Sequence, residues 1–207
     1  DTLTGICEAA ELSHSDMVGR LRSSFMVSCD NAHAVHPNHP EYKDGNHAVY
    51  MNGGVVVKYN ANQRYTTDGV SAAIFGLICE RAGVPIQRYA NRADMPGGST
   101  LGRISLGHVS VLSADIGVAQ LAMHSSYETA GVEDAFYLAK AITMQARSGG
   151  VGQKMRTALE DYRAVDERLL GELGRNPTLE EIAAELHMTV EEAQSVRKML
   201  EDARLLA

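Results

Sequence analysis

Apolar positions change their spacing along this chain, and each change predicts a different kind of element. Phe25 to Cys29 and Val55 to Tyr59 are short apolar runs bounded by polar residues, the pattern of buried strands. Runs at Val84 to Tyr89 and Gly107 to Ser113 predict two more strands, and helical spacing predicts helices over Ser15 to Arg22, Asp68 to Ala82 and Val132 to Ala146. Such alternation fits a layered α/β domain with helices against a mixed sheet. Ser148-Gly149-Gly150-Val151-Gly152 then reads as a flexible junction, and from Gln153 onward the pattern is helical only. Thr178 with Glu181, and Thr189 with Glu192, have the spacing of capping boxes, in which a threonine hydroxyl and a glutamate three residues later answer each other's backbone N–H. Ile182, Ala183 and Leu186, followed by Val190, Ala193, Val196 and Leu200, supply the apolar faces of a helix-turn-helix. The expected organisation is therefore an α/β domain over residues 1–147, a linker over 148–152 and a small helical module over 153–207.

Composition narrows the class. With 44% hydrophobic residues in 207, the chain can bury a core. No apolar run approaches the ~20 residues of a membrane span, and the first residues lack the pattern of a signal peptide, so a cytoplasmic location is the default expectation. Cys7, Cys29 and Cys79 are odd in number and widely spaced, which points to reduced thiols rather than a disulfide framework or a cysteine zinc site. A formal charge of -7 opposes a general phosphate-binding surface.

Chemistry concentrates in Asp30-Asn-Ala-His-Ala-Val-His-Pro-Asn38. Asp30 follows a predicted strand, and ligand chemistry gathers at that end of strands in open α/β sheets. Pro37 keeps a regular helix from running through the cluster. Taken alone, Asp30 reads as a turn former rather than a ligand, and the histidines as loop residues.

Four more stretches change that balance: Val56-Val57-Lys58-Tyr59-Asn60-Ala61-Asn62-Gln63-Arg64-Tyr65, Gly83-Val84-Pro85-Ile86-Gln87, Asn91-Arg92-Ala93-Asp94-Met95-Pro96-Gly97-Gly98-Ser99-Thr100-Leu101-Gly102 and Gln120-Leu121-Ala122-Met123-His124-Ser125-Ser126-Tyr127-Glu128. With the Asp30 segment, and in this order, they resemble the C-terminal part of the aspartyl aminopeptidase family, two-zinc exopeptidases. The match runs from about Phe25 to about Ala141. The resemblance implies a partial metallopeptidase domain in which Asp30 and His124 are metal ligands, one for each of two zinc ions. It implies substrate contacts at His33, at Lys58, whose ammonium would pair with an acidic N-terminal side chain, and at the Gly98-Ser99-Thr100 turn. Carboxylate and neutral imidazole are donors that zinc accepts. Asp94, by contrast, reads as a turn residue or an outer partner.

The same family uses a His-x-Asp pair, a bridging aspartate and a Glu-Glu pair that includes the general base. The resemblance places all of these upstream of the matching region, and no Glu-Glu occurs here before Glu180. The chain is accordingly expected to be inactive alone, as a truncated form of a peptidase that in intact relatives is a homo-oligomer acting on peptides. The segment Glu172 to Leu186 resembles region three of bacterial RNA polymerase sigma factors. The acidic pair Glu191-Glu192 stands where a recognition helix would need basic residues, and from Gln153 to the end eight Lys and Arg face twelve Asp and Glu, a balance of -4. Nucleic acid is therefore a disfavoured partner, and a protein-contacting or structural role for the module is favoured. A transcription-associated module with a passenger front half is the competing reading, and a partly folded noncatalytic remnant a third.

Overall fold

A computed structural model describes residues 2–147 and 151–204, and the side chains of 157–201 within the second stretch. The architecture is mixed α/β followed by helices. Two short helices, α1 (Thr2–Ala9) and α2 (His14–Arg22), precede strand β1 (Phe25–Cys29). Then come β2 (Ala32–His33), β3 (Val55–Tyr59), α3 (Gly69–Ala82), β4 (Ile86–Ala90) and α4 (Leu101–Leu106). Strands β5 (Leu112–Gly117), β6 (Ala119–Leu121) and β7 (Thr129–Ala130) lead into α5 (Val132–Arg147). The tail consists of α6 (Val151–Leu173), α7 (Leu179–Glu185) and α8 (Val190–Arg204).

The main sheet has the order β1-β5-β3-β4, with β5 antiparallel to β3 and the outer pairs parallel. A second sheet, β2-β6-β7, continues from it, because two chain segments run side by side through both. Phe25 faces Leu112, Cys29 faces Ile116, Ala32 faces Ala119 and His33 faces Gln120 in one unbroken register. That register carries the segment after β1 and the segment after β6 to the same end of the molecule.

Helix α3 explains how the layers hold together. Asp68 caps it, accepting from Ser71 N at 2.7 Å, and Gly83 ends it in the left-handed conformation at φ 58°. Ala72, Phe75, Cys79 and Ala82 pack on Val55, Val57, Ala114 and Ile116 of the sheet and on Ala141 of α5. On the opposite side Val70, Ala73 and Leu77 pack against the tail core of Leu159, Tyr162, Ile182, Val196 and Met199. An apolar helix of this kind is buried on both flanks.

Several elements depart from their sequence expectations. The expected strand over Gly107 to Ser113 is the end of α4 and a turn: Gly107 N donates to Ile104 O at 3.1 Å and Val109 N to Ser105 O at 2.9 Å. Those backbone groups serve the helix end and cannot serve a ladder, so the strand begins at Leu112. The strand expected from Val84 begins at Ile86, since Val84 N is held by Cys79 O at 2.9 Å and Pro85 has no N–H to give. Of the expected linker, residues 148–150 lie outside the described residues, while Val151 and Gly152 open helix α6. Helix α1, which the periodicity did not announce, buries none of its side chains.

The tail's capping boxes form as read. Thr189 Oγ1 accepts from Glu192 N at 3.2 Å while Thr189 N donates to Glu192 Oε2 at 2.9 Å. Thr178 and Glu181 do the same, and Arg175 adds a bidentate pair to Glu181 at 2.6 and 3.0 Å. Arg175 and the Thr178 N–H hold the Glu181 carboxyl down to about 2. A depressed carboxyl contributes stability that is present above its ordinary value, about 4.5, and is lost as pH falls toward 2. Acid titration followed by far-UV circular dichroism is expected to show helix loss in that window, and Glu181→Gln should flatten it; an unchanged profile in the variant counts against this role.

Candidate functional site

Asp30 stands one residue beyond β1, its N–H donating to Ile116 O at 2.9 Å. Gly117 lies beside it in the neighbouring strand, where a Cβ would overlap the Asp30 carbonyl. Only glycine permits this approach of the two backbones. The Asp30 side chain is 55% exposed. Behind it Lys58, on β3, is 2% exposed. Its ammonium donates to Asp30 O at 3.2 Å and Asn31 O at 3.1 Å, lies 3.4 Å from Asp30 Oδ2, and sits 4.6 Å from the centre of the Tyr65 ring. Burial pushes the Lys58 pKa down, and Asp30 and Asp115 push it back up.

His124 follows β6 in a tight turn. Ala122 and His124 both adopt left-handed backbone, at φ 55° and 67°, a conformation uncommon away from glycine and concentrated at working sites. Ser125 N closes the turn on Ala122 O at 3.0 Å, and His124 N donates to Glu128 Oε1 at 2.6 Å. His33, on the Asp30 segment, pairs with Gln120 of β6, and both imidazole and carboxylate act on it. Burial lowers the His33 pKa, Lys43, His124 and Lys58 lower it further, and Asp30 opposes them. The neutral ring is thus favoured, the form able to accept a hydrogen bond at one nitrogen and donate at the other.

The remaining expected residues are placed less uniformly. Gly98 and Ser99 are exposed on the turn before α4, with open space where a Gly98 side chain would be. Thr100 is buried, and its hydroxyl has no hydrogen-bond partner among the described residues. Asp94 is held by Arg92 in a bidentate pair, 2.6 Å at each contact, as befits a turn residue. Two residues escaped the sequence reading. Asp115 is fully buried in β5, where its Oδ2 accepts from Thr66 N at 2.5 Å and Thr66 Oγ1 at 2.9 Å. Lys43 lies over the Tyr89 ring at 5.2 Å from its centre. An ionisable residue inside the apolar strand Leu112–Gly117 was the available signal for Asp115; Lys43, in a polar loop, gave none.

As a zinc site the donors fit in type and fall short in number. Asp30 and His124 are accessible carboxylate and imidazole donors, matching zinc chemistry. Among the described residues, however, no group of three or more His, Cys, Asp or Glu could hold a metal ion.

Comparison with known proteins sets this geometry in context. The family model described as aminopeptidase I zinc metalloprotease (M18) matches residues 2–144. This chain belongs to the M18 aminopeptidase family. Among M18 relatives, the probable M18 family aminopeptidase 2 of Mycobacterium tuberculosis (strain ATCC 25618 / H37Rv) is 45% identical over 138 residues, covering 65% of this chain and 32% of the relative. The protein of the same description from Pseudomonas entomophila is 44% identical over 133 residues, 64% of this chain and 31% of its own length. The chain thus spans about a third of the length of the curated M18 relatives it matches. A solved structure described as the Ape4 and Nbr1 complex is 33% identical with a TM-score of 0.68, covering 74% of this chain and 29% of that one. The M18 aminopeptidase from Thermotoga maritima, 20% identical with a TM-score of 0.56 over 73% of this chain and 34% of that one, shares the fold. A second family model, sigma-70 region 3, matches residues 157–206.

Proposed function

We propose that the α/β part of this chain forms one wall of the catalytic cleft of a zinc aminopeptidase that removes N-terminal residues, acidic ones among them, from peptides. The observation that carries the reading is the continuous strand register that pairs β2 with β6 and so sets the segment holding Asp30 and His33 beside the one that leads to His124. In this reading Asp30 and His124 each donate to one of two zinc ions, and the other ligands and the general base belong to the rest of a family-length protein, as does the homo-oligomer. When bound, zinc would lower the pKa of a water and polarise the scissile carbonyl.

The chain's own residues do the positioning. Lys58 fixes Asp30 from behind through two backbone carbonyls and the weaker contact at Oδ2. An acidic substrate side chain would reach that ammonium by replacing the Oδ2 contact, the longest of the three. Neutral His33 offers a hydrogen bond to the substrate backbone, and the open turn at Gly98 and Ser99 offers N–H groups, with Thr100 buried behind it.

Zinc titration of the whole chain against a chromophoric chelator tests the ligand pair. Binding should be weak, and Asp30→Ala and His124→Ala should each weaken it by about tenfold or more, because affinity depends on ligand count in a preformed site. Equal zinc affinity in all three proteins would sink the assignment. The helical tail packs its apolar face on α3 and carries Glu191 and Glu192 at the first turn of α8, which favours a structural role for it over DNA contact.

A further inference from the structure

Next to His33 opens a cavity of about 340 Å³, distinct from the Lys58 side of the site, with Lys43, Tyr89 and Arg92 in its wall. Its charges are one-sided. Lys43, Arg92 and the imidazoles of His33, His36 and His39 line it, and no Asp or Glu does. Arg92 is already matched by its bidentate pair with Asp94, and His39 by Glu41 at 3.1 Å. Lys43 is different: it is half-buried against the Tyr89 ring, and no carboxylate pairs with it among the described residues. Burial alone pulls its pKa down to about 8, the mark of an ammonium that has given up water without gaining a counter-charge. A half-desolvated cation on an aromatic face, in a hollow free of anions, is a receptor for one.

We propose that this cavity is a carboxylate-binding subsite in which Lys43 receives the anionic end or an acidic side chain of a short peptide held across His33. The idea rests on the peptidase reading in taking a peptide as ligand, but not on zinc. Its position follows from the fold. His33 belongs to both spaces, so a peptide whose N-terminal residue lies by Asp30 and His124 continues into the cavity. The pocket would then favour dipeptides with a free carboxylate, or peptides with an acidic second residue, over neutral ones. It would be a selectivity element separate from Lys58.

The test uses the whole 207-residue chain and two matched pairs of peptides: Ala-Ala against its amide, which probes the main-chain carboxylate, and Ala-Asp-amide against Ala-Asn-amide, which probes the side chain. Binding is followed by NMR through the Lys43 side-chain resonances. The acidic member of at least one pair should bind about tenfold more tightly and move the Lys43 signal, as expected for a charge-assisted contact. Lys43→Met should abolish the difference and Lys43→Arg should keep part of it. Equal affinities within both pairs, no binding by any of the four at millimolar concentration, or discrimination that survives Lys43→Met would overturn the proposal. The two readings separate cleanly. Acid-selective binding with no zinc effect from Asp30→Ala or His124→Ala keeps the subsite and removes the metallopeptidase; the reverse pattern removes the subsite alone.

Discussion

Deleting residues 151–207 is expected to lower the unfolding free energy of the α/β part by about 2–4 kcal/mol, a large share of the 5–15 kcal/mol typical of a domain. The cause is α3. Its Val70, Ala73 and Leu77 lie under the tail core, and deletion returns them to water. Complete burial of a Val or Leu side chain is worth about 1.5–3 kcal/mol. These three are only partly buried, and a real unfolded chain hides some apolar surface already, so the total lies around or below the lower end of the summed range. The chain has no tryptophan, so urea unfolding would be followed by far-UV circular dichroism. The full chain should unfold in one transition, and Leu77→Asp in the full chain should shift the midpoint in the same direction as deletion. Equal midpoints with and without the tail would mean that the packing between the two parts contributes nothing. The result also bears on any transcription-related role, because the apolar side of the tail that rests on α3 cannot at the same time rest on a polymerase.

That docking is legible in the sequence. Gly69–Ala82 is apolar on two sides, with Ala72, Phe75, Cys79 and Ala82 on one and Val70, Ala73 and Leu77 on the other. A helix facing one sheet needs only the first set, so the second announced another layer. The short strands β1 and β3, by contrast, stood out because buried strands are compact apolar runs, and Thr178 and Thr189 marked their helix starts by capping chemistry that acts within four residues. Failures fell where nonlocal contacts decide. Leu101–Leu106 took up helix where a neighbouring apolar stretch suggested strand, and Leu112–Gly117 became a strand because β1 and β3 lie on either side of it. At the site, motif order pointed to Asp30 and His124, while the left-handed turn at His124 and the burial of Lys58 appear only in three dimensions.

The second large effect concerns Asp115. Asp115→Ala is expected to cost about 2–4 kcal/mol, because two Thr66 donors lose the carboxylate that satisfies them inside the protein. Two losses combine. The Thr66 N–H and hydroxyl lose their acceptor inside the protein, and buried Lys58 loses one of the two carboxylates that favour its charged form. Asp115→Asn separates them, since an amide oxygen can still accept from Thr66 while the charge is gone; it should cost less than Asp115→Ala. In that variant the Lys58 pKa falls further below its ordinary value. Where the unfolded chain binds the proton that folded Lys58 releases, stability rises with pH up to about 10.4, and the asparagine variant should show this rise beginning at lower pH. A double-mutant cycle with Lys58→Met decides whether the two charges are coupled. With Lys58 replaced, Asp115→Asn should lose most of its effect. If instead the cost is the same in both backgrounds, Asp115 acts through Thr66 alone, and the cation behind Asp30 is held in place by Asp30 and the two backbone carbonyls without help from the neighbouring strand β5.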